Sequence, residues 1–231
     1  MILFIISILI YVGTLFLIRP SPSSLKAAPL TYTENLKSVW ATVSIGLFLL
    51  TVFFITTKFG FLVVDKELYS LLALNNDWEK AIFWPFQAVS HLFIHSTPLH
   101  LLTNIAGIGL LSVYERRVGA RRFFSVLLVS SLASIPSIAF YSGNITICGI
   151  SGGVFGLAAA YFTDEDNLTI KEWLMAIAAF IFIATILTVE GELRSDAKDL
   201  LNLKVDHFGH AMGAIGAIIY CRIKPRNSAE H

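Results

Sequence analysis

Apolar residues form seven stretches along this sequence, and shorter polar segments separate them. The stretches cover residues 1–18, 38–57, 99–114, 122–141, 147–162, 168–189 and 205–221. Crossing about 30 Å of hydrocarbon takes roughly 20 helical residues, so the pattern predicts seven membrane helices. The stretches 99–114, 147–162 and 205–221 are short and rich in Gly, Ala, Ser, Asn and His. We expect these three to be inner helices that pack against protein and not against lipid.

The composition agrees with this pattern. Of the 231 residues, 55% are hydrophobic and only 14% are charged, which is far from the usage of soluble domains. The sequence therefore predicts an all-α polytopic membrane protein. The net charge of +1 indicates no partner class by itself, and we expect no nucleic-acid partner. Cys148 lies at the start of one apolar stretch and Cys221 at the end of another, so they are expected near opposite membrane faces, and a disulfide between them is not expected.

The first stretch is interpreted as a retained helix and not as a signal peptide. It lacks a basic start, and Arg19 and Pro20 follow it in place of a small-residue cleavage site. Residues 20–37, with their Pro and Ser, are expected to form a linker. The predicted organisation is an extra N-terminal transmembrane helix with its linker (1–37), a compact helical core (38–221) and a short cytoplasmic tail (222–231).

The positive charges predict an orientation. Lysine and arginine are enriched in cytoplasmic loops, and strict alternation of spans puts most of them on one side, in segments 19–37, 115–121, 163–171 and 222–231. We therefore expect the N-terminus outside and the C-terminus in the cytoplasm. The predicted location is the plasma membrane, which would be the inner membrane of a bacterium.

Polar residues gather at one depth of the predicted membrane. With this topology the stretches that start near Leu99, Ile147 and Val205 run in the same direction, so their first turns share one layer. That layer holds the following side chains: His100, Asn104, Ser151, His207 and His210. Ionisable and polar groups inside a membrane are costly and indicate function. The sequence therefore predicts a site where three helices meet.

Glycines surround the serine of this set. The run GISGG (149–153) leaves the Ser151 hydroxyl open to approach, and Gly152 with Gly156 forms one GxxxG pattern. A second pattern, Gly209 with Gly213, lies on the helix that carries His210. Small residues at this spacing let two helix backbones approach closely. The same contact would bring the serine hydroxyl within reach of the imidazole.

Three ordered motifs make the chain resemble the rhomboid family of intramembrane serine proteases. They are HLFIHSTPLHLLTN (91–104), GISGGVFG (149–156) and GHAMG (209–213), and ERRVG (115–119) is similar to a further family feature. The likeness covers roughly residues 38–221. It implies a rhomboid-like bundle of six core helices, here with one extra N-terminal transmembrane helix.

The resemblance also implies roles for individual residues. Ser151 would be the nucleophile and His210 the general base, while His100, Asn104 and the Ser151 backbone N–H would bind the oxyanion. Supporting roles are expected for Phe155, Gly149, Gly152 and His95. The substrates would be transmembrane proteins that enter from the membrane lipid beside the helix 168–189. Neither a metal nor a cofactor is expected, and the sequence leaves the oligomeric state open.

The chain departs from the family pattern at several positions. Phe155 stands where the family often has Tyr, and Gly209 replaces a common Ala. Phe86 and Gln87 replace a frequent Trp-Arg pair in the outer loop. Asp206 lies about one turn nearer the surface than His210, so the sequence favours a serine–histidine dyad without a third carboxylate.

Other functions remain open at this point. A catalytically inactive rhomboid-like protein that binds membrane helices is one alternative, and a branch that cleaves C-terminal sorting tails is another. A haem-binding membrane cytochrome is a third, because five of the six histidines lie near one predicted membrane face. The GxSxG run also fits the nucleophile turn of soluble α/β-hydrolases, but that fold requires strands between its helices. A zinc protease of the HExxH type is not expected, because the motif is missing.

Overall fold

The computed structural model describes residues 1–17, 30–164 and 205–225, together with Ile170, Trp173, Leu174, Ile177 and Ile181. These residues are mostly helical. The α-helices among them are α1 Ile2–Leu17, α2 Tyr32–Ser38, α3 Trp40–Thr56, α4 Lys66–Leu72, α5 Trp84–Ser90, α6 Pro98–Leu110, α7 Ser112–Ser134, α8 Ser151–Thr163 and α9 His207–Ile223. Short 3₁₀ turns form Trp78–Phe83, His91–Phe93 and Ile135–Phe140. Two short strands, β1 Leu74–Asn75 and β2 Thr146–Ile147, pair antiparallel with Leu74 opposite Ile147.

Several predicted boundaries differ from the observed ones. The linker expected over 20–37 is helical from Tyr32, because Thr31 and Glu34 form a capping box at the start of α2. The stretch 147–162 begins with Ile147, the last residue of β2, and α8 begins only at Ser151. The helix expected over 168–189 is helical at the five described positions between 170 and 181. Its other residues lie outside the described part of the chain.

Few of the described helices are long and apolar enough to cross a membrane. The segment Ser112–Phe140 does, with 29 residues and a mean hydropathy of 2.0. The pair α2 and α3, bent by 72° at their junction, passes the same test as one broken span. Helices α6 and α8 have 13 residues each and are therefore only about 20 Å long. The bundle of six core helices plus one extra helix thus remains a prediction.

A glycine interrupts α7 after its second turn. Gly119 has φ 78°, in the left-handed region that side chains with a Cβ rarely adopt. This break lies in the ERRVG run, where the sequence predicts a loop between two helices. The apolar part of α7 follows the break and continues into the 3₁₀ turn Ile135–Phe140.

The chain forms two compact units. The first comprises Met1–Asp65 and His95–Ser125, and the second comprises Lys66–Ile94 and Val126–His231. Helices α1, α2, α3 and α6 belong to the first unit, and α4, α5, α8 and α9 belong to the second. Helix α7 begins in the first unit and ends in the second.

A buried carboxylate organises the first unit. Glu115 is fully buried, and its two oxygens accept hydrogen bonds of 2.8 Å from the backbone N–H groups of Ala41 and Thr42. These groups lie in the first turn of α3, where helical N–H donors have no partner within the helix. The ERRVG glutamate therefore caps α3 from another helix.

The extra N-terminal helix is attached to the first unit by polar contacts near its C-terminal half. Tyr11 of α1 is buried, and its hydroxyl donates to the Thr42 carbonyl at 2.8 Å. The Asn35 amide donates to the last carbonyls of α1, at Leu15 (2.9 Å) and Phe16 (3.2 Å). These carbonyls have no partner within α1, so Asn35 serves as its C-terminal cap.

A serine stripe on α7 packs against the glycines of α8 in the second unit. Ser130, Ser131 and Ser134 donate to carbonyls of their own helix at 2.6 to 2.8 Å. A Cβ on Gly156 would collide with the Ser130 side chain, and one on Gly152 would collide with Ser134. Because their hydroxyls bond within α7, these serines pack as small residues without leaving a buried donor unsatisfied. The helices can therefore approach closely.

Candidate active site

Ser151 is the first residue of α8, and a constrained backbone leads into it. Gly149 has φ 100°, a conformation that glycine adopts without strain. Its N–H donates to the His91 carbonyl at 2.8 Å, which ties the segment before the serine to the 3₁₀ turn His91–Phe93. As the first residue of a helix, Ser151 has a backbone N–H that no helical carbonyl accepts.

The structure brings Ser151 and His210 together. The distance between Ser151 Oγ and His210 Nε2 is 2.9 Å, which is a hydrogen bond. His210 lies in the first turn of α9 and is only 5% exposed. The hydroxyl and the imidazole therefore have the separation that a nucleophile and its general base require.

The role of each imidazole nitrogen depends on the tautomer of His210. A nitrogen that accepts a hydroxyl proton carries none itself, so a neutral ring that serves as a base would hold its hydrogen on Nδ1. Within the described residues, the buried His210 Nδ1 has no hydrogen-bond partner. No carboxylate of the described chain therefore orients this ring through Nδ1.

An aromatic ring holds the imidazole from one side. The rings of Phe155 and His210 have centroids 4.3 Å apart and planes only 14° from parallel. Phe155 is 3% exposed and lies one turn after Ser151 on the same helix. This stack restricts rotation of the ring about its Cα–Cβ and Cβ–Cγ bonds.

Backbone contact between α8 and α9 sets the distance between serine and histidine. A Cβ on Gly213 would collide with the carbonyl of Gly152, and a Cβ on Gly156 would lie 3.1 Å from the Gly213 carbonyl oxygen. The two GxxxG patterns therefore face each other, which is the contact that the spacing predicts. Larger residues at these glycine positions would push the two helices apart and separate Ser151 Oγ from His210 Nε2.

The family of this protein is identified by a sequence match that covers more than half of the chain. A model of the rhomboid domain matches residues 83–227, a range that includes α5 to α9 and both members of the serine–histidine pair. The chain belongs to the rhomboid family. The resemblance inferred from the three motifs is confirmed.

Curated relatives agree with this assignment. The chain is 26% identical over 176 residues to the rhomboid protease GlpG of Yersinia enterocolitica, covering 73% of this chain and 58% of that protein. It is 24% identical over 185 residues to the rhomboid protease GlpG of Yersinia pseudotuberculosis, covering 73% of this chain and 62% of that protein. The rhomboid protease GlpG of Yersinia pestis is similar to the same extent. The match thus spans less than two thirds of the length of these relatives.

The other residues predicted for the rhomboid site lie in the first unit. Thr97 caps α6 by accepting a hydrogen bond from the His100 N–H at 3.3 Å. The His100 ring lies edge-on to the buried His95 ring, with centroids 5.0 Å apart. Asn104 is 5% exposed and donates one amide hydrogen to the His100 carbonyl at 2.9 Å. The second hydrogen of that amide is left to donate elsewhere.

Of the two residues that replace the family's frequent Trp-Arg pair, Gln87 links neighbouring elements of the second unit. Gln87 is 1% exposed, accepts from the Asn75 amide at 3.0 Å, and donates to the Leu71 carbonyl at 3.2 Å. Its neighbour Phe86 is 53% exposed. In this chain the position of the family's arginine therefore holds a buried amide that links α4, β1 and α5.

His91 also contacts Gln87 and stabilises the same region. Its Nδ1 lies 2.7 Å from the Gln87 carbonyl, and a carbonyl only accepts, so Nδ1 carries the hydrogen. Burial lowers the pKa of His91 to about 4, while the hydrogen bond to Gln87 opposes that shift. The imidazole is therefore neutral at pH 7. It supports the loop through one ring nitrogen and the Gly149 segment through its backbone carbonyl.

Sequence reasoning missed the structural roles of Asp206 and Asn76. Asp206 is the N-cap of α9, since its side chain accepts from the Gly209 N–H at 2.7 Å. An aspartate three residues before a helical glycine is a recognisable start signal. Asn76, which donates to Gly143 and accepts from the Ile145 N–H at 2.9 Å, gave no such signal. Its partners are distant in sequence, so only the folded chain identifies them.

Proposed function

We propose that this rhomboid protein is an intramembrane serine endopeptidase that hydrolyses peptide bonds in or near transmembrane segments of other membrane proteins. The observation that carries the proposal is the 2.9 Å hydrogen bond between Ser151 Oγ and His210 Nε2. Membership of the rhomboid family and relatives that bear the name rhomboid protease support it.

In the first step of this mechanism, Ser151 Oγ attacks the carbonyl carbon of the scissile bond while His210 Nε2 takes the hydroxyl proton. The carbonyl electron pair moves to oxygen and produces a tetrahedral oxyanion. As the oxyanion collapses, the C–N bond breaks and His210 returns its proton to the leaving amine. A water molecule then hydrolyses the acyl-enzyme by the same exchange of protons with His210.

The oxyanion would be bound by three groups. The Ser151 N–H, at the N-terminus of α8, is unsatisfied within the helix, and the helix dipole favours negative charge there. His100 and Asn104 would add side-chain donors, and one such donor typically contributes about 3 kcal/mol to transition-state binding. Their spacing of four residues places them on one face of α6.

The substrate would be a transmembrane helix that reaches the site from the lipid phase. Family resemblance supports entry beside the segment 168–189, most of which lies outside the described residues. The site would face the outside of the membrane, with the C-terminus in the cytoplasm, in agreement with the charge bias of the loops.

The test is co-expression with a single-pass reporter protein whose transmembrane segment can be cleaved. We expect cleavage by the wild type and none by Ser151→Ala or His210→Ala, with equal expression and thermal stability for all three. A folded Ser151→Ala variant that still cleaves the reporter would exclude the serine mechanism. A fluorophosphonate probe provides a second measurement, since it should label the wild type and not Ser151→Ala.

The same experiment addresses an inactive relative that only binds membrane helices. Such a protein has no need of an activated hydroxyl, so the bonded serine–histidine pair favours the enzyme. A wild type that binds the reporter without cleaving it, and that the probe does not label, would support the binding protein. The haem-binding alternative predicts a Soret absorption band in the purified protein.

A further inference from the structure

We propose that Asp206 is a positioning residue of the reaction, which fixes the first turn of α9 so that His210 faces Ser151. The inference rests on the proposed function, because it concerns the geometry of the same serine–histidine pair. It assigns a role to a carboxylate that does not touch either reacting side chain.

Asp206 bonds to the helix that carries the histidine. One carboxylate oxygen accepts from the Gly209 N–H at 2.7 Å, and the Asp206 carbonyl accepts from the His210 N–H at 3.0 Å. The Gly209 N–H has no partner within the helix, so the side chain satisfies it, and the bond from the His210 N–H is the first backbone bond of α9, which the N-cap residue accepts. A displacement of Asp206 would therefore be transmitted directly to the backbone of His210.

The same carboxylate also bonds outside α9. It accepts from the Tyr141 hydroxyl at 3.0 Å and from the hydroxyl of Ser137. Ser137 is fully buried in the 3₁₀ turn Ile135–Phe140. Asp206 thus attaches the start of α9 to the turn that follows α7.

That turn continues from the segment that packs against the serine helix. Ser134, the last residue of α7, lies so close to Gly152 that a Cβ on the glycine would come within 2.5 Å of it. Gly152 is the residue next to Ser151. One continuous piece of chain, 134–141, therefore contacts the serine helix at one end and holds Asp206 at the other. The hydrogen bonds of Asp206 complete the link between nucleophile and base.

Gly209 provides the room for this arrangement. A Cβ at this position would lie 2.7 Å from the Asp206 carboxyl carbon, which is closer than side-chain carbons approach. The alanine that is common at this position in rhomboid proteins would displace the carboxylate from its cap. The glycine of this chain and its capping aspartate therefore depend on each other.

Asp206 does not act as the third member of a catalytic triad. Its oxygens accept from Gly209, Tyr141 and Ser137, and within the described residues the buried His210 Nδ1 has no hydrogen-bond partner. The carboxylate acts on His210 through the backbone. Its removal should therefore change the rate of the chemical step and leave substrate binding unchanged.

The experiment compares Asp206→Ala with Asp206→Asn in the full-length protein. The Oδ1 of the asparagine can still accept from the Gly209 N–H and the Tyr141 hydroxyl, and its Nδ2 can donate to the Ser137 hydroxyl oxygen at the position of the second carboxylate oxygen, so this variant should retain most of the activity. Asp77→Ala is the matched control, because Asp77 caps the turn Trp78–Phe83 by accepting from the Glu79 N–H at 3.1 Å. The readouts are kcat and KM on the reporter, the rate of fluorophosphonate labelling and the thermal midpoint of unfolding.

We expect Asp206→Ala to lower kcat and the labelling rate by ~10- to 100-fold, since small misplacements of reacting groups have effects of this size. KM should stay within about twofold, because contacts made equally with substrate and transition state are retained. Rates are divided by the fraction of active sites, measured by complete labelling with the probe. A residue that only stabilises the fold would lower this fraction and the unfolding temperature but not the rate per active site.

Each result has a defined meaning. A rate per active site for Asp206→Ala equal to that of the wild type overturns the inference. So does an asparagine variant as slow as the alanine variant, because hydrogen bonding is then not what matters. If Asp206→Ala does not fold, Tyr141→Phe and Ser137→Ala replace it. Each removes one bond to the carboxylate and should slow labelling, and unchanged rates in both overturn the inference.

The proposed function can fail separately. If the wild-type protein neither cleaves the reporter nor reacts with the probe, the proposed mechanism is wrong. Asp206 then has no role in that mechanism either. An active wild type with an inactive Ser151→Ala variant and a fully active Asp206→Ala variant leaves the proposed function intact. That result removes only the role of Asp206.

Discussion

Gly213 on α9 lies against Gly152 on α8 with no room for a side chain, since a Cβ on Gly213 would come within 2.8 Å of the Gly152 carbonyl carbon. Gly152 follows Ser151, and Gly213 lies one turn after His210. This close contact between the helices is therefore adjacent to the hydrogen bond between Ser151 and His210. The distance between the helices determines whether that bond can form.

Gly213→Ala should separate α8 from α9 and disrupt the serine–histidine hydrogen bond. Overpacking of this kind costs about 1–3 kcal/mol of folding free energy, and we expect probe labelling of Ser151 to slow by ~100-fold. Labelling rate and thermal unfolding in detergent provide the measurements.

Gly13→Ala is the control for this prediction. It adds the same methyl group to α1, where nothing lies within 4 Å of the added carbon. Wild-type rate and equal or higher stability are expected for it. A Gly213→Ala variant that behaves like Gly13→Ala would contradict the close helix contact.

Phe155 is expected to orient His210 through its ring and not merely to fill space. Phe155→Tyr keeps the stacked ring and should retain nearly wild-type kcat, whereas Phe155→Leu removes the stack and should lower kcat roughly tenfold. Aromatic pairs contribute about 0.5–1.5 kcal/mol beyond the area they bury. Steady-state cleavage of the reporter, per active site, measures the difference.

Phe86→Leu is a suitable comparison, because Phe86 is 53% exposed and its replacement should have no effect on kcat. Equal kcat values for the leucine and tyrosine variants at position 155 would show that the stack has no role in catalysis.

Asn35 is expected to stabilise the attachment of α1. Asn35→Ala removes the hydrogen bonds to the Leu15 and Phe16 carbonyls and the side chain to which the Arg116 guanidinium donates. A buried acceptor left without a donor costs about 1–3 kcal/mol. We therefore expect a lower unfolding temperature and faster proteolysis between α1 and α2.

The matched substitution Asn144→Ala affects an exposed asparagine and should leave both measurements unchanged. If Asn35→Ala is as stable and as resistant to protease as this control, the cap does not hold α1 in place.

The lowered pKa of buried His91 predicts that the folded protein loses stability in mild acid. Burial lowers its folded-state pKa to about 4, whereas an unfolded histidine titrates near 6.5. The unfolded chain therefore takes up the proton first as the pH falls. Stability that is present above about pH 6.5 is lost progressively down to about pH 4, and the His91 contribution is on the order of 3 kcal/mol.

His91→Asn tests this assignment, because its amide can donate to the Gln87 carbonyl but does not titrate. Other histidines add to the pH dependence, so the measurement is the difference in unfolding free energy between wild type and variant at pH 4.5 and pH 7. The wild type should lose more stability than the variant. Parallel curves for the two proteins would assign the acid sensitivity to other groups.

The helical class and the residue pair of the site could be predicted from the sequence because their signals are local or periodic. Long apolar stretches predict helices at almost any position in the chain. The glycines at i and i+4 in 149–156 and 209–213 predict a close helix pair, and that pair brings Ser151 to His210.

Helix ends were predicted less well, and the reason is physical. An apolar stretch of sequence indicates that its residues are buried. It does not distinguish the strand Thr146–Ile147 from the helix that begins at Ser151. The capping box of Thr31 and Glu34 starts α2 inside a segment that its Pro and Ser content predicts to be a linker. Hydrogen bonds at the ends of elements decide such boundaries.

The sequence by itself determined that the chain is helical, apolar and built around a serine and a histidine carried by glycine-rich helices. Only the tertiary structure decided which distant groups the carboxylates of the chain bond to. Asp206 bonds to Ser137 and Tyr141, and Glu115 bonds to Ala41 and Thr42, across separations of 65 to 74 residues. Hydrogen bonds act over about 3 Å in space and leave no periodic trace in sequence. Their partners are therefore fixed only when the chain has folded.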